Sequence, residues 1–409
     1  MGKRSIVFII FVSVVVIILL TAGGYILFKV LDKREYPDID VKFPGSSYEG
    51  FDRSMDENAD LMRIGVINRS MSDGLVSEYL FLPFSTTERQ LSRSERVLFS
   101  DQVELLSFMA ERKDRKAYES LIEKINESFT YTENNGFSVN SGIRYCRVLL
   151  EGYSVFDNIK YYDMANSLQK KLYPLCSVDK IPPPELSIII PADTPTPDFE
   201  ATPTPKPAAD ATPEQADIRD ELNAVDISEV DLYALSLLCE LDPVWNDVYE
   251  NSLDVISKSI LYHPGVFYNE AYYPDSNGYA AFVSEAAYFD MERQLMIALH
   301  LAEADAFPET AYSFYKENLL NHRAFYTGYA VLTGAPYTSA ESIISYACMA
   351  RLARIKGDRS TYDFCIDRIF WNTATSYTSK IFGLTFIEYP DGNIKADSTD
   401  SILALKALY

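Results

Sequence analysis

SAESIISYACMARLARIKGDRSTYDFCIDRIF, residues 339–370, reads as two helices joined by a tight turn. In the first, Ile344, Cys348, Leu352 and Ile355 fall at i, i+4, i+8 and i+11, one apolar stripe on a 3.6-residue period. Gly357 suits the left-handed conformation that ends a helix. Ser360, three residues before Asp363, gives a capping-box-like start to the second. Tyr362, Ile366, Ile369 and Phe370 form the matching stripe. Neither helix can bury its face alone, so the pair packs on itself and on neighbours.

The same unit recurs: an apolar helix, a polar turn centred on Asp, then a helix opening with aromatics. LLSFMAERKDRKAY turns at Asp114, RVLLEGYSVFDNIKYY at Asp157, YALSLLCELDPVWNDVY at Asp242 and MIALHLAEADAFPETAY at Asp305; the opening stretch turns at Asp358. These turns lie 43, 85, 63 and 53 residues apart, too irregular for a fixed-period solenoid but suited to helical hairpins with variable connections. A closed ring of hairpins needs no capping repeats; an open all-α array is the alternative.

Composition narrows the function. Of the net charge of −22, residues 1–34 carry +4 (five Lys/Arg against Asp32), leaving about −26 on the rest. Such a body is repelled by nucleic acid and by anionic lipid. The five cysteines (Cys146, Cys176, Cys239, Cys348 and Cys365) show no CxxC, and there are only three histidines. This argues against a zinc site or a disulfide framework, and no metal or organic cofactor is expected.

Residues 6–28 are 23 without charge, long enough to span a bilayer, with Lys3 and Arg4 before them. We read 1–34 as a cytoplasmic stub and single-pass anchor with the body outside the membrane; a cleaved signal peptide, at Thr21–Gly24, is the alternative. Residues 35–94 read as an extended arm leading into the domain, with a loop or short sheet element at GVINRSMSDG. Residues 95–409 carry the hairpins. They are interrupted at 178–216 by a Pro/Thr-rich stretch that holds 10 of the 20 prolines and can neither continue a helix nor pair in a sheet.

These residues resemble the six-hairpin glycosidases with an (α/α)6 toroid, specifically the membrane-anchored relatives of family-8 glycoside hydrolases of Gram-positive bacteria. FSDQVELLSFMAERKDRKAY is similar to the stretch that opens a helix with the general acid, which implies Asp101 in that role. In SGIRYCRVLL, Ser141 and Gly142 replace the relatives' acidic pair and Arg144 remains. ISEVDLYALSLL places Asp231 at a sugar-facing acidic position. YTSAESIISYACMARLA resembles the helix bearing the general base, which implies Glu341 there. The family uses Glu as acid and Asp as base; this chain holds the reverse. A carboxyl shortened by one methylene retracts by about 1.5 Å, and a misplacement of about 1 Å costs on the order of a hundredfold in rate. The resemblance thus implies an inverting two-carboxylate site on a polysaccharide, with a weakened form in view.

The chain holds 54 aromatic residues, mostly Tyr. Those in VFYNEAYYPDSNGY and AFYTGYAV fall between hairpins, where a toroid's cleft lies, so Tyr268, Tyr272, Tyr326 and Tyr329 join Asp231 and Arg144 as candidate sugar contacts. The competing readings are a non-catalytic glycan-binding or assembly protein for envelope polysaccharide synthesis, and an all-α protein–protein scaffold. Each candidate acid also has a plainer reading as a carboxylate favouring a helix N-terminus.

Overall fold

In the computed structural model the described residues are 36–44, 53–84, 90–129, 138–176, 180–183, 224–281 and 288–408. The anchor expected within 1–34 and nearly all of the Pro/Thr-rich stretch lie outside them. Among the described residues no helix is long and apolar enough to cross a membrane. The chain divides into Met1–Asp38 and Ile39–Tyr409, and all the described helices and strands belong to the second unit.

Twelve α-helices are described. They are α1 (Arg53–Gly65), α2 (Phe99–Glu111), α3 (Arg115–Ser128), α4 (Val139–Phe156), α5 (Ile159–Cys176), α6 (Leu232–Leu241), α7 (Asn246–Lys258), α8 (Met291–Glu303), α9 (Glu309–His322), α10 (Ile343–Lys356), α11 (Arg359–Trp371) and α12 (Ser398–Leu408). The even-numbered helices close a ring. α2 packs on α4, α4 on α6, α6 on α8, α8 on α10, α10 on α12, and α12 back on α2. α3, α5, α7 and α11 lie outside against the helices they follow, and α1 packs on α12. This is an (α/α)6 toroid, not an open array.

Position in the ring explains the burial patterns. The outer helix α3 buries only Tyr118, Leu121, Ile122 and Ile125, a single stripe. The inner helix α10 is buried on almost every side, from Ile343 through Ala353, so the stripe of Ile344, Cys348, Leu352 and Ile355 is only part of its packed surface. The hairpin turns form as their sequences dictate. Asp114 and Asp358 cap α3 and α11 by accepting from Ala117 N and Thr361 N, and Gly357 takes φ +70°. The cap of α11 is therefore Asp358, not Ser360, whose hydroxyl donates to the Asp358 carboxylate at 3.0 Å. All five cysteines are free, four of them buried.

Residues 35–94 are more than an arm. α1 completes the sixth hairpin with α12, and Gly65 meets Gly383 so closely that a Cβ on Gly65 would lie 2.5 Å from the Gly383 carbonyl carbon. Short strands decorate one face. β1 (Met71–Ser72) and β2 (Leu75–Val76) form a hairpin whose turn, Asp73–Gly74, ends GVINRSMSDG. β3 (Tyr79–Leu82) pairs with β4 (Ser92–Arg93) and, across 315 residues of sequence, with β13 (Ile394–Asp397), which also pairs with β12 (Ile387–Glu388). β5 (Val225–Asp226), β8 (Ala271–Tyr273) and β9 (Gly278–Ala280) form a second sheet. β6 (Ile260–Leu261) pairs with β7 (Phe267–Tyr268), and β10 (Tyr288–Asp290) with β11 (Gly328–Ala330).

The ring has two unlike mouths. At the C-terminal ends of the inner helices, residues 39–44 lie across the opening. Ile39 is buried, Asp40 N donates to Glu240, and Lys42 exchanges hydrogen bonds with the Tyr233 hydroxyl. Phe43 and Pro44 line a small pocket together with Glu111, Arg147, Arg351, Arg354 and Lys406. The other mouth, at the N-terminal ends, carries the acids.

Candidate functional site

Asp101 is the third residue of α2 and is only 1 % exposed. Its Oδ1 accepts from the Thr399 hydroxyl on α12 at 2.7 Å, while Oδ2 is buried with no partner among the described residues. Burial pushes this carboxyl up to about 7; the Thr399 bond opposes the shift, and Asp397, Glu104 and Glu78 add to it. An unpartnered oxygen in a buried site is where a protonated carboxylic acid holds its hydrogen.

Asp101 has company from across the ring. Asp400, one turn into α12, is pushed up to about 8, by burial first and then by Asp397, Glu292 and Asp101, with Lys395 opposing. Glu292, at the start of α8, is raised by burial; a hydrogen bond from Ser342 opposes this, and Asp290 and Asp397 contribute. Asp397 is paired with Lys395 at 3.0 Å. α2 and α8 are the first and fourth of six staves, so Asp101 and Glu292 stand on opposite sides of the mouth, and both act on Asp400. Helix N-termini favour anions, which partly offsets the crowding of negative charge. Half-exposed Glu292, Asp397, Thr399 and Asp400 keep the mouth open to solvent.

Deeper in the hollow, charges are paired rather than crowded. Arg147 is the hub: its Nε donates to Glu151 at 2.9 Å and its Nη1 to Asp231 at 3.0 Å and Glu303 at 2.8 Å. Arg351 also donates to Glu303. Burial works to raise Asp231 and Glu303, but Arg147, joined by His300 and Arg144 at Asp231 and by Arg351 at Glu303, holds both below the usual carboxylate range. Likewise Lys406 and Arg144 overcome burial at Glu104 and pull it down to about 2. Ligand atoms of Asp231, His300 and Glu303 lie within 4.8 Å of one another, a spacing a divalent ion could use. The Arg147 guanidinium already bridges the two carboxylates there, so the protein supplies the cation itself.

The residues expected at the site fall in several places. Asp101 is in the acidic mouth. Glu341 is on its rim, just before α10, and its Oε2 accepts from Tyr346 and pairs with Arg368 of α11. The acids that act on Asp101 do not include Glu341. Asp231 caps α6 through Ala234 N and is paired with Arg147 in the hollow. Arg144 lines the hollow, paired with Glu229 at 3.0 Å and 3.5 Å from His300 Nε2. Tyr268 and Tyr329 are fully buried and offer no face to a ligand; Tyr329 instead donates to Asn318. Tyr272, 9 % exposed, donates to Asn277 at 3.0 Å, and half-buried Tyr326 pairs through its backbone with Glu341. Tyr268, Tyr272 and Tyr329 lie on β7, β8 and β11, and β7 packs on α8. Asp397, Asp400 and Glu292 were not singled out from sequence. The signal was present in DSTDSILALKALY, where two carboxylates three residues apart open an inner helix.

Solved structures share this architecture. An α-amylase from Clostridium perfringens superposes with a TM-score of 0.68 at 15% identity, covering 88% of this chain and 99% of its own. PssZ from Listeria monocytogenes gives 0.56 at 13% identity, covering 91% and 97%. The endo-β-1,4-glucanase CMCax from Acetobacter xylinum gives 0.52 at 12% identity, covering 86% and 97%. The (α/α)6 toroid is therefore a fold that this chain shares with them. No protein-family model matches the sequence, and no curated protein sequence matches it.

Proposed function

We propose that this protein is a glycoside hydrolase-like protein that acts on a polysaccharide at the acidic mouth of the ring. The observation that carries the reading is Asp101: a buried carboxyl with one oxygen unpartnered among the described residues, pushed up to about 7 beside Asp397 and Asp400 at the start of the neighbouring α12. Asp101 donates its proton to the glycosidic oxygen as the C–O bond breaks. Glu292, on the opposite side, accepts a proton from the water that attacks the anomeric carbon from the other face. Inversion requires the two carboxyls to stand roughly 6.5–9.5 Å apart. Staves across a six-helix ring suit that gap better than neighbouring ones. Glu341, paired with Arg368, braces the rim.

The test is reducing-sugar release by the purified full chain on β-1,4-glucan, xylan, chitosan and starch. General acid–base groups contribute about 10²–10⁴-fold, so Asp101→Asn and Glu292→Gln should each remove at least a hundredfold of the rate. Loss with Glu341→Gln but not Glu292→Gln would return the base to Glu341. Absence of hydrolysis with retention of glycan on an affinity gel would favour the non-catalytic binding reading, in which the protein serves envelope polysaccharide assembly.

The uncharged stretch 6–28 and the Thr-Pro tract support a place at the outer face of a cell membrane, the first as anchor and the second as solvated spacer. Protease protection of the body in intact cells would overturn that placement.

A further inference from the structure

A chain of contacts leads outward from Glu292 and ends on an exposed indole. The Ser342 hydroxyl meets Glu292. Glu341, the preceding residue, pairs with Arg368. The Arg368 guanidinium lies over the Trp371 ring, 4.7 Å from its centroid. Trp371 closes α11 and is 73% exposed. Outer helices run opposite to inner ones, so this C-terminal end lies on the same face as the acidic mouth.

A tryptophan left this open is unusual for a side chain that gains so much from burial. Its orientation is nonetheless fixed. Arg368 covers one face, and Arg368 is itself held by Glu341 and by the Tyr346 hydroxyl, over whose ring it also lies at 5.6 Å. The remaining indole face is flat, apolar and turned to solvent, with a carboxylate and a guanidinium beside it.

We propose that Trp371, with Arg368 and Glu341, forms a distal sugar-binding platform of this mouth, taking a pyranose ring of an uncharged glycan several residues long. The proposal rests on the polysaccharide reading above. A pyranose presents C–H groups on one face and hydroxyls around its edge. The indole face meets the first; Glu341 accepts from, and Arg368 donates to, the second. The glycan is uncharged because Arg368 is already neutralised by Glu341, so no net positive charge remains at the platform to draw uronate or sulfate. A second protein is a poor occupant: one indole ringed by charges falls far short of the roughly 1,000 Å² that a specific protein interface buries.

The chain has two tryptophans, and the other, Trp245, is fully buried with its indole N–H donated to Gln169. A ligand-induced change in emission therefore reports Trp371. The full chain carrying Asp101→Asn, to prevent turnover, is titrated with the bioses and hexaoses of the xylo-, cello- and malto- series. Hexaose should shift the emission to the blue. Trp371→Ala should weaken hexaose binding about tenfold, equivalent to about 1.4 kcal/mol, with biose binding unchanged. Trp371→Phe should recover most of the affinity while silencing the signal. An unaltered melting temperature for Trp371→Ala confirms that the fold is intact.

Hexaose retained equally by Trp371→Ala on an affinity gel, with no emission shift in the parent, overturns the platform and leaves the hydrolase reading standing. An emission shift with no hydrolysis by the Asp101 protein keeps the platform and removes the catalytic reading. Failure of every oligosaccharide to bind overturns the platform together with the glycan reading.

Discussion

Asp101→Asn should stabilise the protein above neutral pH while abolishing its chemistry. Burial moves this carboxyl from an ordinary 3.8 to about 7. Between those values the folded state holds a proton that the unfolded state releases, so folding stability falls as pH rises from about 4 to 7. Three units at 1.36 kcal/mol each give a cost of about 4 kcal/mol, fully developed above pH 7 and absent below pH 4. Asparagine keeps an oxygen to accept from Thr399 and never ionises. The variant should therefore match the parent near pH 4.5 and exceed it by up to about 4 kcal/mol at pH 8.5. Relaxation around Asp397 and Glu104 makes this an upper figure, and half of it would still be decisive. Urea unfolding at the two pH values, with equal m-values, reads the difference directly. An offset that is the same at both pH values, or a variant weaker at pH 8.5, would show that Asp101 is not holding a proton and would remove the basis for its role as acid.

Arg147→Met strands Asp231, Glu303 and Glu151 without their shared cation; breaking a buried pair costs about 3–5 kcal/mol, measurable by denaturant titration at pH 7. Glu104, pulled down to about 2 from 4.5 with Lys406 and Arg144 beside it, contributes about 3 kcal/mol above pH 4.5 that is lost as pH falls toward 2. Lys406→Met should remove much of that and move acid unfolding to higher pH, as followed by circular dichroism. Gly383→Ala places a methyl 2.3 Å from the Leu61 carbonyl oxygen at φ +81° and should cost at least about 2 kcal/mol, seen as a lowered melting temperature.

The hairpins were legible because an inner–outer helix pair writes its turn locally. Asp114, Asp358 and Gly357 do in the structure what their residue types allow. The closing of the ring was only an option from sequence, since α12 meets α2 across some 300 residues and no local pattern records that contact. Asp101 could be found because it opens a helix in a recognisable stretch. The capping position of Asp231 was visible too, but its partner, the guanidinium of Arg147, comes from another stave and leaves no local trace. Tyr268 and Tyr329 show the limit of aromatic counting, because a ring's exposure depends on which short strand lies over it, and those strands are two to four residues long. Glu292 and Asp400 matter only through each other and Asp101, a relation that exists only once the staves are in place.

The pairing of β3 with β13 and of α2 with α12 also governs the order of events during synthesis. A ribosome delivers the first staves long before the last, yet the keystone helix arrives only with residues 398–408. Until then α2 presents an uncovered flank, and Asp101 lacks the hydroxyl of Thr399 that later shelters it. A nascent chain must therefore keep its early hairpins soluble until α12 has been made, and the burial that raises Asp101 is complete only once α12 docks on α2.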